Sequence, residues 1–341
     1  MNVLRRLFRP NIAKLKENRD LGKLRSVVAS GAASELRVEA VEALAALADE
    51  PARTALVEAF VTGGDEVSQA AETALRNLGP EAAEQLAGAV GTAVGGRAVD
   101  ALLDLGAAAL EPLRSATGAA DEKTRLQALD GLLELDRRLC GQEDVREPVF
   151  RTLLASLGDR SPACRARAAS GLEAMGDGRA GRALAAQLKD RDEAVRGACR
   201  KALAALGATA VPHLVGALRD RNPNSRRLAA ELLGETCSPA AAVDVRLEAL
   251  AALVERARDG NAEIREAVGR ALQRIPAGDA VASQLALLAD PERGDRDATL
   301  ELVKGLLEHA VADPGQRAAA IRRIRDLGFL READDLSGRL G

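Results

Sequence analysis

The chain has no tryptophan, no tyrosine, four phenylalanines and two histidines among 341 residues. A core with so few large aromatics must be filled by Ala, Leu and Val, and small side chains let helices approach toward the short end of the usual ~8–10 Å interaxial distance. His213 and His309 each stand alone in a helical setting, so a hydrolytic triad or a histidine-based metal site lacks its neighbours. Cys140, Cys164, Cys199 and Cys237 form no CxxC pair and no Cys/His cluster at metal-ligand spacing. They are expected to be reduced thiols packed in the interior of a cytoplasmic protein. No uninterrupted apolar run approaches transmembrane length. Met1 to Pro10 is interrupted by Arg5, Arg6 and Arg9, and no apolar stretch of a secretion signal follows. Val3, Leu4, Leu7 and Phe8 among these arginines suit an N-terminal cap or tail better than a membrane anchor.

The formal net charge of −3 conceals segregation. Residues 1–25 carry a net +6, residues 26–136 a net −12, residues 159–227 a net +7 and residues 228–341 a net −5. A basic middle beside an acidic first half is a statement about surfaces and partners. Arg outnumbers Lys 41 to 7, so richness in arginine carries little weight by itself, whereas its placement does.

A repeating phrase supplies the architecture. Asp159-Arg-Ser-Pro-Ala-Cys-Arg165 opens a stretch that ends at Gly176. It recurs in register as Asp190-Arg-Asp-Glu-Ala-Val-Arg196 through Gly207, and again from Asp220 to Arg226. The starts lie 31 and 30 residues apart, a period that signals stacked supersecondary units. Each unit reads as helix A, a tight turn opened by Asp or Asn, helix B and a terminal Gly. Helix A is expected to start near Pro51, Pro80, Pro148 and Pro212. Helix B is expected over 34–48, 65–78, 92–105, 121–135 and 261–275, with the stripe Val195, Ala198, Cys199, Ala202, Leu203 and Leu206 facing inward in the clearest unit.

The expected fold class is therefore all-α, an α-solenoid of about nine stacked antiparallel helix pairs. A basic N-terminal segment or cap occupies 1–19, the array 20–310, and charged capping helices 311–341, with a loop or small kink at the polar connection 137–146.

The Pro-x-Leu helix A start, the Asp-Arg-Asp-Glu-Ala-Val-Arg turn and the Ala-Leu-x-x-Leu-Gly ending resemble HEAT-repeat proteins, specifically the prokaryotic group similar to phycobilisome lyase subunits. The resemblance covers most of the chain. It implies a hydrogen-bonded ladder between adjacent repeats built from the turn Asp and the helix B Arg. Here that pair recurs six residues apart as Asp159/Arg165, Asp190/Arg196, Asp220/Arg226 and Asp259/Arg265. A carboxylate at this place can cap helix B and receive a forked guanidinium, setting the stacking register. Arg37 and Arg125 have no Asp six residues back, so register in the first units is less defined.

Motifs with enzymatic associations find structural explanations. Gly176-Asp-Gly178-Arg-Ala-Gly181 matches G-x-G-x-x-G but follows a helical stripe, where a dinucleotide fingerprint needs a strand. Gly91 to Ala98 approaches a phosphate loop without its Lys or its Ser/Thr. The acidic stretch 290–301 has Asp295 where a calcium loop requires Gly. No catalytic residue, cofactor or metal is expected.

The leading function is a non-catalytic scaffold or adaptor that binds another protein. Arg160, Arg191 and Arg221 follow the turn Asp in three successive units and should form a row along one edge. Arg167, Arg200, Lys201 and Arg227 add cations on the neighbouring helix B segments, and the partner expected is an acidic protein surface. Two alternatives are a subunit of a bilin lyase-type enzyme complex, which the family resemblance allows, and a binder of nucleic-acid phosphates, for which the basic middle is suited but the lack of Trp and Tyr leaves little for base stacking.

Overall fold

In the computed structural model, which describes residues 10–237, 241–289, 295–311 and 313–340, the regular structure is helical, and the chain divides into two compact units, Met1–Arg167 and Ala168–Gly341. The apolar and basic stretch from Val3 to Arg9 and residues 290–294 of the rejected calcium loop lie outside the described residues.

The first unit begins with α1 (Ile12–Glu17) and then alternates A and B helices. The pairs are α2 (Leu21–Ala29) with α3 (Ser34–Leu47), α4 (Glu50–Thr62) with α5 (Asp65–Leu78), α6 (Ala83–Ala87) with α7 (Gly95–Asp104), and α8 (Leu110–Ala116) with α9 (Glu122–Arg138). It continues into α10 (Glu143–Ser156), and α11 (Pro162–Met175) contains the division between the units. A helices pack on A helices and B helices on B helices of the next pair, as α2 on α4 and α3 on α5. That is the stacking of an α-solenoid, in which each pair buries its apolar stripe against its neighbours.

The second unit repeats the scheme with α12 (Gly181–Ala186), α13 (Glu193–Leu206), α14 (Val211–Ala217), α15 (Pro223–Thr236), α16 (Val243–Arg256), α17 (Ala262–Arg274), α18 (Gly278–Leu288) and α19 (Arg296–His309). The pair α20 (Pro314–Asp326) and α21 (Leu330–Leu340) follows, with α20 packed on α18.

The core is Ala and Leu in both units. Leu44, Leu56, Leu75, Leu102 and Leu132 in the first and Leu184, Leu203, Leu214, Leu233 and Leu253 in the second are fully buried, each contributing about 1.5–3 kcal/mol. The inward stripe read for α13 holds in Val195, Cys199, Ala202 and Leu203. Phe60 and Phe150 are the buried aromatics among the described residues.

Local differences from the sequence expectations have identifiable causes. α9 runs through Arg138 because Glu134 accepts from both Arg137 and Arg138, binding the polar end of the helix together. The expected loop 137–146 shrinks to residues 139–142, with Cys140 and Gly141 at positive φ. α10 starts at Glu143 and carries Pro148 in its interior instead of at its start. α7 begins at Gly95 instead of residue 92. The reason is steric: Gly91 has φ +89°, and a Cβ there would lie 1.9 Å from Thr124 Oγ1, while one at Gly95 would lie 2.2 Å from Gln127 Oε1. The segment presses on α9, and Gln127 accepts from the Gly91 amide at 2.7 Å.

Candidate interaction surface and the turns that carry it

Four of the turns that open B helices share one hydrogen-bonding plan. A carboxylate oxygen of the phrase-opening Asp accepts from the amide two residues on: Asp159 from Ser161 at 2.7 Å, Asp190 from Asp192 at 2.8 Å, Asp220 from Asn222 at 2.8 Å and Asp259 from Asn261 at 3.0 Å. This is an Asx turn. The N-cap itself is the later residue: Asp192 accepts from Val195 N, Asn222 from Asn224 N, and Asn261 from Glu263 N and Ile264 N.

The arginine six residues after the Asp then reaches back over the turn. Its Nη1 donates to the backbone carbonyl of that Asp, from Arg165 to Asp159 at 2.9 Å, Arg196 to Asp190 at 2.7 Å, Arg226 to Asp220 at 3.0 Å and Arg265 to Asp259 at 2.7 Å. Within each phrase the carboxylate is turned onto the Asx amide, and the arginine meets the backbone carbonyl.

The carboxylates serve the stacking instead. Arg226 donates from Nε to Asp259 Oδ2 at 2.9 Å and from Nη2 to Oδ1 at 3.3 Å, across 33 residues. Arg125 does the same to Asp159 at 2.9 and 3.0 Å, and also binds the Ala119 and Ala120 carbonyls at 3.0 Å. Arg125 thus needs no Asp six residues back, since the acceptor there is backbone. Burial alone would raise the Asp159 carboxyl, but the Arg125 guanidinium and the Ser161 amide outweigh it and hold it below the usual carboxylate range. Burial likewise opposes, and the Asn261 amide and Arg226 overcome, at Asp259. At Asp220 the Asn222 amide leads the downward shift, with Lys189 assisting at 3.2 Å. In the first pair Arg37 finds carbonyls alone, Val28 O at 2.7 Å and Gly63 O at 3.0 Å.

The arginines that follow the turn Asp are not equivalent. Arg160 is exposed, yet its Nη2 donates to the carbonyls of Ala119 and Ala120 in the preceding turn. Arg191 and Arg221 are exposed and make no side-chain hydrogen bond or ion pair among the described residues; only their backbone carbonyls are used, by Arg196 and Arg226. Of the B-helix cations, Arg167 pairs with Asp130, Arg200 with Glu231 and Glu235 at 3.8 and 3.6 Å, and Arg227 with Glu231 at 2.8 Å. Lys201 is exposed without a partner among the described residues. Glu231 also receives Arg270 at 3.9 Å. This carboxylate hub was not foreseen, though the i,i+4 spacing of Arg227 and Glu231 signals it.

The glycine-rich motif serves packing. A Cβ on Gly181 would lie 2.3 Å from the His213 imidazole, so the glycine admits the half-buried ring between α12 and α14. His309 lies 3.8 Å from its neighbour Glu308. Cys164, Cys199 and Cys237 are buried, and burial pushes the Cys199 thiol up to about 12, a poor nucleophile at neutral pH. Cys140, expected inside, is exposed on the short connection after α9. Among the described residues no group of three or more His, Cys, Asp or Glu side chains is arranged to hold a metal ion, and no helix is long and apolar enough to cross a membrane.

Helix pairs of this kind, with an Asx turn and an arginine clasp between neighbours, define a helical-repeat protein. Residues 150–222 and 211–304 match the family model described as HEAT repeats, and this stretch of the chain is built of HEAT repeats. No curated protein sequence matches the chain. Among solved structures, an engineered protein is 18% identical over 94% of this chain and 98% of its own, with a TM-score of 0.38. Human deoxyhypusine hydroxylase in complex with glycerol is 22% identical over 78% of this chain and 99% of its own, with a TM-score of 0.30. A chain from the Kap95p complex with RanGDP is 13% identical over 95% of this chain and 56% of its own, with a TM-score of 0.48. The similarity to phycobilisome lyase subunits finds no counterpart in these matches.

Proposed function

We propose that the chain is a non-catalytic cytoplasmic scaffold or adaptor whose turn edge around Arg191 and Arg221 receives an acidic surface of another protein. One observation carries this reading: two guanidiniums at equivalent turn positions of adjacent helix pairs are exposed and unpaired, while Arg167, Arg200 and Arg227 are neutralised by Asp130, Glu231 and Glu235. Exposed, unpartnered cations at repeat spacing are available to a partner without first breaking an internal pair. The same neutralisation disfavours a phosphate-backbone binder, which needs a continuous run of free cations. Arg160, held by two carbonyls, belongs to the fold in this reading.

The test is affinity capture from the native cell with the wild type and with Arg191→Glu/Arg221→Glu, quantified by mass spectrometry and followed by titration of the purified partner. A partner lost only with the variant, whose melting temperature is unchanged, supports the edge as the site. Identical captures overturn it.

A further inference from the structure

A cleft of about 310 Å³ runs between α12 and α14, the neighbouring A helices of the second unit. Ala185, Ala186, Gly216 and Ala217 leave its floor bare of long side chains. Arg182 and His213 stand at one end, where Gly181 admits the imidazole. Arg182 is exposed, His213 is half-buried, and neither side chain makes a hydrogen bond or ion pair among the described residues. At the other end Asp220 accepts from Lys189 at 3.2 Å and from the Asn222 amide at 2.8 Å, so both of its oxygens are occupied. The Lys189–Asp220 bridge joins the turn after α12 to the turn after α14, and Arg191 and Arg221 follow it within two residues. The cleft therefore opens onto the edge that carries the two free arginines.

His213 and Asp220 are seven residues apart, and a helical rise of 1.5 Å per residue separates the two ends of the cleft by roughly 10 Å. An extended chain advances about 3.3 Å per residue, so residues three apart span the same distance. We infer that the cleft and the turn edge form one site for an extended acidic segment of a partner protein, with one carboxylate at Arg191 and Arg221 and a second, three residues away, at Arg182 and His213. This inference rests on the proposed role of Arg191 and Arg221 and adds the form of the ligand. Charge selects an acidic occupant: Arg182, Arg191 and Arg221 are uncompensated, while Lys189 already neutralises the carboxylate that lines the cleft. Shape selects an extended one. A helix with its side chains is about 10–12 Å across, wider than the ~8–10 Å step between neighbouring helices, and would ride above the Ala and Gly floor. The donors suit carboxylates, since a guanidinium offers a planar fork and an imidazole at least one N–H.

Fluorescence anisotropy on the full chain at low ionic strength tests this, with labelled Gly/Ser peptides that carry two Glu three residues apart, two Glu side by side, or two Gln. The peptide with Glu three residues apart is expected to bind about fivefold tighter than its side-by-side isomer, and the Gln peptide not to bind. Arg182→Gln should remove most of that preference. Gly216→Leu, whose Cβ meets no atom within 4 Å, fills the cleft without altering charge and should remove it as well. Arg191→Gln/Arg221→Gln should weaken both acidic peptides, because both use the edge. Circular dichroism melts indistinguishable from wild type identify these as losses of the site. A wild type that binds neither acidic peptide, or binds both equally, overturns the inference. So does a spacing preference untouched by both Arg182→Gln and Gly216→Leu, or equally tight binding of an oligothymidylate, which would make the strip a general anion binder. If the inference fails in any of these ways while capture of a partner protein still depends on Arg191 and Arg221, the cleft is overturned and the interaction edge stands. Peptide binding that survives Arg191→Gln/Arg221→Gln overturns the edge and the two-point site with it.

Discussion

Arg160 in the first unit and Arg191 and Arg221 in the second occupy one position of the repeating phrase, yet their side chains have different fates. The turn at Asp159 is filled from its own unit: Arg125 clasps the carboxylate and two carbonyls, and Arg160 joins those same carbonyls. The turns at Asp190 and Asp220 leave the following arginine to solvent. Identical residues at identical spacing thus become mortar in one place and exposed surface in another.

That contrast yields a graded series of expected losses. Arg125→Ala should be the most damaging, because it removes a buried guanidinium that pairs with the half-buried Asp159 carboxylate and binds two carbonyls at once; about 3–5 kcal/mol of stability is expected in chemical denaturation, the cost of breaking a buried charge pair. Gly91→Ala follows, since it needs positive φ and collides with Thr124; a loss of about 1–3 kcal/mol is expected for such backbone strain, read from the same melts. Asp259→Asn keeps the shape but weakens the Arg226 clasp, and about 1–3 kcal/mol is expected for a charge-assisted hydrogen bond. It also changes the pH response. Asp159 and Asp259 have folded pKa values below the ordinary 3.8, so their stabilisation is present above that value and is lost as pH falls through the folded value. The wild type should therefore lose stability steeply below about pH 4, and Asp259→Asn should flatten part of that slope; parallel slopes would remove the carboxylate from the account. Arg196→Ala should cost least, about 1–2 kcal/mol, because Arg196 donates only to the Asp190 and Arg191 carbonyls among the described contacts.

The repeat period made the fold legible before any coordinates: the B helices 34–47, 65–78 and 262–274 fall within a residue or two of where Asp, Gly and the apolar stripe place them. Boundaries went astray where tertiary contacts override local signals. Arg137 and Arg138 read as loop and instead cross-link a helix end, and residues 92–94 read as the start of a helix that begins only at Gly95, because Gly91 and Gly95 press against Thr124 and Gln127. The candidate surface was legible only as a row of arginines. Which of them is free depends on partners 31 to 41 residues away, such as Glu231 for Arg200 and Ala119 for Arg160, and spacing within a single phrase carries no information about those distances.

The central claim is that turn arginines of the same phrase divide into a structural one and a partner-facing pair. The direct measurement is to make Arg160→Gln and Arg191→Gln/Arg221→Gln and to read both the melting temperature and the amount of partner captured for each. The account predicts that Arg160→Gln lowers the melting temperature and leaves capture intact, whereas Arg191→Gln/Arg221→Gln leaves the melting temperature unchanged and loses capture. Equal effects of the two variants on both readouts would contradict it.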